Sequence, residues 1–237
     1  MAVNNSLVKK EASVMKYDVD GMEVKLSPAI IRKYIVNGNG AVTDQEVNYF
    51  MQLCKSRKLN PHIKEAYLVK YGNQPATMIV AKEVLERRAV KNKNYNGKKF
   101  GIYVKNTSGS LEKRENCIIM AEEELLGAWC EVYRKDWEYP AKSEVNIDEY
   151  IVRKKDGTAN SMWTNKPVTM IVKVAKAQAL REAFTEEIGG MYEQEEVEAS
   201  KVETREVPAV DDAEVVYEES TPEPVVEEAK ESDFGGF

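Results

Sequence analysis

The sequence predicts an α+β fold in which an antiparallel sheet packs against helices. Segments with helical spacing of apolar residues stand at both ends of the central part of the chain. Between them lies a run of short β-rich segments separated by turn residues. Because helices and strands are segregated along the chain rather than alternating, an antiparallel sheet is favoured over a doubly wound parallel one.

The first predicted elements are two helices. Ser27 followed by Pro28 is typical of a helix start, and the segment SPAIIRKYIV ends at the turn sequence NGNG. Thr43 and Glu46 then have the spacing of a capping box. Behind them, apolar residues recur at helical spacing, so this helix should pack on the core and end near Lys58. The apolar residues are Val47, Phe50, Met51 and Cys54.

The middle of the chain predicts strands joined by turns. AYLVKY (66–71) and TMIV (77–80) should form a hairpin around the Gly72-Asn73 turn, followed by a helix through Val84 and Leu85. A turn at Asn96-Gly97 should precede a short strand. Further strands are predicted at NCIIMAE (116–122), LLGAWCEVYRK (125–135) and, as a pair around a turn, KSEVNIDEYIVRKKDGT (142–158). The last predicted helix is TMIVKVAKAQALREAF (169–184).

Charge divides the chain into two parts. Residues 193–237 contain 16 acidic and three basic residues, a net charge of -13, whereas residues 1–192 contain 31 basic and 24 acidic residues, a net charge of +7. The acidic part has no apolar pattern long enough to build a core, so we predict that it is disordered. The predicted organisation is a flexible arm (1–20), one domain (21–192) and an acidic tail (193–237).

Composition and motifs disfavour most enzyme classes. The chain has one histidine and three scattered cysteines without a CxxC pair, so neither a zinc site nor a disulfide framework is expected. It contains no GxxxxGK[ST], GxGxxG, GxSxG or HExxH sequence. We predict no catalytic residue and no metal ligand. The absence of long apolar runs predicts a cytoplasmic protein without a membrane segment.

Basic residues of the domain cluster with aromatic ones, as nucleic-acid binding requires. Cations neutralise phosphates, and aromatic faces stack on bases. Basic turns are also common on solvated surfaces, and Trp137 and Trp163 could equally pack in or beside the core. From these clusters we predict DNA contacts at Arg134, Lys135, Lys154, Lys155, Trp163 and Lys166.

The last predicted helix adds three cations, Lys173, Lys176 and Arg181. At about 100° per residue they fall within an arc of about 140°. The helix is otherwise apolar, and charged side chains are rarely placed on such a helix without a partner. A groove lined by phosphates would provide that partner, so we predict that these three residues bind DNA.

Three blocks of sequence, in the same order, resemble the RecT/Redβ (Bet) family of phage single-strand annealing proteins. They are LNPHIKEAYLVKYGNQPATMIVAKEVL, CEVYRKDWEYP and SMWTNKPVTMIVKVAKAQALREAFTEEIGGMYEQEE, and the resemblance covers about residues 43–196. It implies that Lys64, in NPHIKEAY, and Arg181, in LREAF, contact DNA. It also implies that Trp163 matches the family tryptophan, and that Lys173 and Lys176 lie in the family's basic helix.

The resemblance implies ATP-independent binding of single-stranded DNA and annealing of complementary strands during homologous recombination. It further implies assembly into rings or helical filaments, a bacterial host, and a phage exonuclease and a host single-stranded-DNA-binding protein as partners. No cofactor is expected, although Mg²⁺ is a candidate modulator of DNA binding. Two alternatives stay open: a passive single-stranded-DNA-binding protein and a metal-dependent nuclease. The acidic tail is open to three interpretations: a solubilising extension, a competitor for the basic groove, or a docking segment for a recombination partner.

Overall fold

The computed structural model describes residues 14–154 and 156–200, without the side chains of residues 199 and 200. Strands and helices are numbered below in chain order. The strands are β1 (Met15–Val19), β2 (Met22–Leu26), β3 (Val36–Asn37), β4 (Ala66–Val69), β5 (Thr77–Val80), β6 (Tyr95–Lys105), β7 (Leu111–Arg114), β8 (Glu124–Arg134) and β9 (Ala141–Asn146). The helices are α1 (Pro28–Ile30), α2 (Asp44–Ser56), α3 (Lys82–Lys91), α4 (Ile147–Tyr150), α5 (Ser161–Asn165), α6 (Pro167–Ala183), α7 (Thr185–Ile188) and α8 (Gln194–Ser200). A π-helical turn (Ile31–Ile35) continues α1, and a 3-10 turn spans Pro61–Ile63.

Three sheets confirm the predicted α+β class. The largest has the order β7-β6-β8-β9 and is antiparallel throughout. The second has the order β3-β4-β5, in which β4 pairs antiparallel with β5 and parallel with the short β3. The third is the β1-β2 hairpin.

Helix α6 packs on the largest sheet, mainly against β8 and β9. It is rich in small residues, and Ala175 and Ala179 are fully buried, which lets the helix approach the strands closely. Successive side chains of β8 point to opposite faces of the sheet. Cys130 belongs to the core that α6 covers, while the neighbouring Trp129 donates its indole N–H to the carbonyl of Arg114, 3.0 Å away.

The capping box predicted for α2 is confirmed. The backbone N–H of Thr43 donates to Oε2 of Glu46 at 2.8 Å, and the N–H of Glu46 donates to Oγ1 of Thr43 at 3.2 Å. The four predicted apolar residues of this helix are buried. Glu46 also accepts from Nζ of Lys70 at 2.8 Å and from the N–H of Ala76 at 2.9 Å, so one carboxylate joins α2 to the β4-β5 hairpin.

Three local predictions were wrong. Residues 116–122 do not form a strand, because β7 lies earlier and Arg114 pairs with Glu123 to close a loop instead. The Asn96-Gly97 turn is a bulge inside β6, with φ of +94° at Gly97, rather than the start of the strand. The segment after β9 forms α4 instead of a second strand, because the Asn146 side chain caps it by accepting from the N–H of Asp148.

Two folded elements lie outside residues 21–192, the predicted bounds of the domain. Strand β1 lies within the predicted arm, and the Tyr17 hydroxyl donates to the carbonyl of Leu59 at 2.7 Å. Helix α8 lies within the predicted tail. Residues 1–13 of the arm and 201–237 of the tail lie outside the described residues, so the prediction of disorder stays a prediction there.

The three cysteines are free thiols. Cys54 and Cys130 are buried and Cys117 is half-buried. Burial raises the pKa of Cys54 above its usual range and, as the largest influence, raises the pKa of Cys130 to about 11.

Candidate nucleic-acid interface

Helix α6 presents the three predicted cations from an otherwise buried helix. Lys173, Lys176 and Arg181 are each half-buried, while most of their apolar neighbours are fully buried against the sheet. Their charged groups therefore emerge along one side of the helix and are shielded from bulk water. A cation in such a setting attracts an anion more strongly than a fully solvated one.

Lys176 lies beside an aromatic ring and near a second lysine. Its ammonium is 3.5 Å from the centroid of the Phe100 ring, a cation–π contact. Burial, followed by the nearby charge of Lys98, lowers the pKa of Lys176. Lys98 is neutralised by Glu86, 2.6 Å away, whereas none of the ion pairs within residues 14–154 and 156–200 includes Lys176.

Two cavities border this side of α6. One of about 310 Å³ is lined by Lys82 and Glu86 of α3 together with Lys173 and Lys176 of α6. A second of about 430 Å³ opens toward β4 and β5 and is also lined by Lys82 and Lys173. Glu193, just before α8, lines both cavities.

The other two cations of α6 are paired with carboxylates of α8. Nζ of Lys173 lies 2.8 Å from Oε1 of Glu195. The guanidinium of Arg181 donates to both carboxylate oxygens of Glu196, one of them at 3.0 Å, and its Nη1 also donates to the carbonyl of Met191 at 3.0 Å. The Arg181 guanidinium also stacks 4.6 Å from the centroid of the Tyr192 ring.

Glu193 adds a third carboxylate to the two that bind cations. It is 6 % exposed, and burial together with the charges of Glu195 and Glu196 raises its pKa to about 8. The charges of Lys173 and Arg181 lower this pKa but do not offset the increase. Glu193 is therefore mostly protonated at neutral pH, and the contact between α6 and α8 is close to electrically balanced.

Comparison with known proteins decides the family. The model of the RecT family matches residues 23–209, which is most of the chain. The chain belongs to the RecT family. It is also 28 % identical, over 197 residues, to the uncharacterized protein UU154 of Ureaplasma parvum serovar 3, and the match covers 81 % of this chain and 75 % of that protein.

RecT-family membership places the chain among DNA-binding proteins of strand annealing and recombination. Among the residues that the structure describes, no helix is long and apolar enough to cross a bilayer. In the same residues, no group of three or more His, Cys, Asp or Glu side chains is arranged to hold a metal ion.

In this RecT-family chain, Lys64 is exposed and ends the 3-10 turn. Its backbone is left-handed, with φ of +64°, and its N–H donates to the carbonyl of Pro61 at 3.0 Å. The next residue, Glu65, is buried, accepts from the N–H of Asn60 at 2.7 Å and pairs with Arg87. These contacts fix the turn, so the Lys64 side chain projects from a rigid support.

Arg134 and Trp163 have packing contacts in this structure. Arg134 pairs with Asp136 at 2.7 Å and donates to the carbonyl of Ala183, 2.5 Å away, while its guanidinium stacks 5.0 Å from the Phe184 ring centroid. It thereby fastens the end of α6 to β8. Trp163 is 1 % exposed, so neither face of its ring is open to a base, and among the described residues its Nε1 has no hydrogen-bond partner.

The remaining predicted residues are scattered. Lys135 follows β8, Lys154 lies in the turn before α5, and Lys166 precedes α6. All three side chains are exposed. Lys155 lies outside the described residues. The structure thus brings Lys173 and Lys176 to one cavity, places Arg181 further along the same helix, and joins none of the other predicted residues to that cavity.

Sequence reasoning missed Lys82 as a candidate, and it underrated a second basic cluster. No sequence signal marked Lys82, which begins α3 and lies 3.7 Å from the carboxylate of Glu83. The second cluster borders a cavity of about 480 Å³ whose lining also includes Asp20, Glu186 and Glu187. Its basic members are Arg57, Lys58, Arg87, Arg88 and Lys91. Arg88 is tied to the carbonyls of Lys58 at 3.1 Å and Glu187 at 3.0 Å, so part of this charge fastens α2 and α7 to α3.

Proposed function

We propose that this protein binds single-stranded DNA and promotes ATP-independent annealing of complementary strands during phage-type homologous recombination. The observation that supports this most directly is the row of half-buried cations on α6, bordered by Lys82 across a groove. The row occurs in a chain of the RecT family, and neutralising the phosphates of DNA requires cations. Lys64 is a further candidate phosphate contact on the exposed 3-10 turn.

The physical task of an annealing protein is to lower two barriers. Two strands repel each other through their phosphates, and each strand folds back on itself and hides its bases. Cations in a groove neutralise phosphates and release counterions. Once the bases are free to test their register, duplex formation supplies about 1.4 kcal/mol per base-pair step from stacking, so no nucleotide hydrolysis is needed.

Assembly of several copies would strengthen this binding. A few cations per copy bind DNA weakly, and linking copies along one strand multiplies the weak contacts. We therefore include a ring or filament in the proposal, with no catalytic residue and no required cofactor. The proposed setting is a bacterial cytoplasm, with an exonuclease and a host single-stranded-DNA-binding protein as partners.

An annealing assay tests the proposal against both alternatives. Two complementary labelled oligonucleotides are mixed with the full chain, without any nucleotide, and duplex formation is followed over time. We expect faster duplex formation than in buffer and no effect on a non-complementary pair. Slower duplex formation would indicate a passive binder. Shortened strands in the presence of Mg²⁺ would indicate a nuclease.

The DNA contacts can be tested through the salt dependence of binding. Lys64→Ala and Arg181→Ala should each weaken binding to single-stranded DNA and reduce the slope of log affinity against log salt by about 0.7, the value for one phosphate contact. Lys105→Ala, at an exposed lysine at the end of β6, is the control and should leave the slope unchanged. Unaltered slopes in both test variants would remove Lys64 and Arg181 from the interface.

A further inference from the structure

Helix α8 occupies the cations that the proposed function assigns to DNA. Its Glu195 and Glu196 neutralise Lys173 and Arg181, and both carboxylate residues are less than 10 % exposed. Glu196 accepts from two nitrogens of the same guanidinium, which is also the geometry in which arginine binds a phosphate. While α8 is seated, a phosphate would have to compete with these carboxylates for both cations.

The cavities beside α6 also border α8 or the residue just before it. The two cavities beside α6 are both lined by Lys82, Lys173 and Glu193. The second is lined in addition by Gln194 and Glu195, so α8 forms part of its wall. Moving α8 away would remove Glu195 from the second cavity and free Lys173, while Glu86 and Glu83 of α3 would stay in the two walls.

We propose that α8 is an internal competitor of single-stranded DNA, which must leave its seat on α6 before Lys173 and Arg181 can bind phosphates. This inference rests on the proposed function and adds a form of regulation to the same site. In the seated state the protein is partly autoinhibited. In the released state Lys173 and Arg181 lose their carboxylate partners, and Lys173 lines one cavity together with Lys82 and Lys176.

Two features make release of α8 physically reasonable. A helix of seven residues is not stable by itself, so α8 depends on its contacts with α4, α6 and β5. As the pH rises toward 8, ionisation of Glu193 places a further negative charge beside Glu195 and Glu196 and weakens this contact. Just before α8, the N–H of Val80 donates to the carbonyl of Tyr192 at 3.0 Å, which would retain the chain at that point.

Charge-matched variants test the competition. The double variant Glu195→Gln/Glu196→Gln keeps side-chain size and removes the two carboxylates that pair with α6. If α8 is seated in about nine-tenths of the molecules, its release should tighten binding of a fluorescein-labelled oligo(dT) strand about tenfold. The control Glu186→Gln/Glu198→Gln removes the same charge from α7 and α8 but from neither ion pair. It should change the affinity less than twofold.

Hydrogen–deuterium exchange of the unmutated protein tests the displacement without relying on any variant. The amides of α8 should exchange slowly in the free protein and faster once oligo(dT) is bound, while the amides of α6 stay protected. Unchanged or slower exchange in α8 on binding, with equal affinities of the two double variants, would overturn the competition and leave the proposed function intact. Failure of every form of the protein to bind oligo(dT) would instead overturn the proposed function and the inference with it.

Discussion

Glu46 offers a quantitative test of how the N-terminal part of the fold is held together. Its carboxylate accepts hydrogen bonds from the backbone N–H groups of Thr43 and Ala76 and forms an ion pair with Lys70, so it joins α2 to both ends of the loop between β4 and β5. The substitution Glu46→Gln keeps the shape of the side chain but removes the charge. It also places an amide N–H₂ where at least one donor now points.

The size of the effect follows from the pKa of Glu46. Burial raises this pKa, but the hydrogen bonds from Lys70, Thr43 and Ala76 outweigh burial and lower it from 4.5 to about 2. One pKa unit corresponds to about 1.4 kcal/mol. Because 20 % of the side chain is exposed and solvent screens the pair, we expect Glu46→Gln to lower the free energy of unfolding at pH 7 by about 2 kcal/mol.

The pH dependence has a defined sign. A carboxyl whose pKa is lower in the folded state stabilises the fold above its unfolded pKa and loses that contribution as the pH falls toward the folded pKa. The difference in the free energy of unfolding between the original chain and Glu46→Gln should therefore have its full size above about pH 5. It should decrease as the pH falls from 4.5 to about 2. Urea unfolding followed by circular dichroism measures it, with the exposed Glu138→Gln as control. A loss below about 0.5 kcal/mol at pH 7, the size of an ordinary surface substitution, would refute the reasoning.

Two further predictions concern a buried glycine and the raised pKa of Glu193. A Cβ at Gly101 of β6 would lie 1.8 Å from the carbonyl oxygen of Arg114, so Gly101→Ala should destabilise the protein by about 2–3 kcal/mol in urea unfolding. At Gly72, where the space is open, Gly72→Ala should cost only about 1 kcal/mol. The pKa of Glu193 is raised while α8 is seated, so protonated Glu193 stabilises the seated state. This stabilisation is largest below about pH 4.5 and is lost as the pH rises toward 8. Hydrogen exchange of α8 should accelerate over this pH range in the original chain. In Glu193→Gln, exchange should show only the intrinsic pH dependence of amides, and equal behaviour of the two proteins would contradict the assignment.

Much of the fold could be predicted because its signals are local. A capping box needs only the spacing of Thr43 and Glu46, and the buried face of α2 follows from periodicity within one helix. The wrong predictions arose where a distant contact decides the structure. The β-rich NCIIMAE segment has strand propensity, but Arg114 and Glu123 close it into a loop, and propensity alone does not predict such a pair.

The candidate site was only half predictable for the same reason. Helical spacing put Lys173, Lys176 and Arg181 on one side of α6, and the structure places them there. The partners Glu195 and Glu196 belong to a segment whose composition predicts a disordered tail, so its folding back onto α6 could not be predicted. Trp163 illustrates a second limit, since an aromatic residue near basic ones fits a buried core position as well as a stacking surface.

The two buried thiols make the chain convenient for site-specific labelling. Thiol reagents attack the thiolate form, and burial raises the pKa of both Cys54 and Cys130 while also restricting access to them. A maleimide dye should therefore modify an introduced surface cysteine well before either of them. In the variant Cys117→Ser/Gln194→Cys, a fluorophore attached at position 194 would report the position of α8 in real time while Cys54 and Cys130 stay in place.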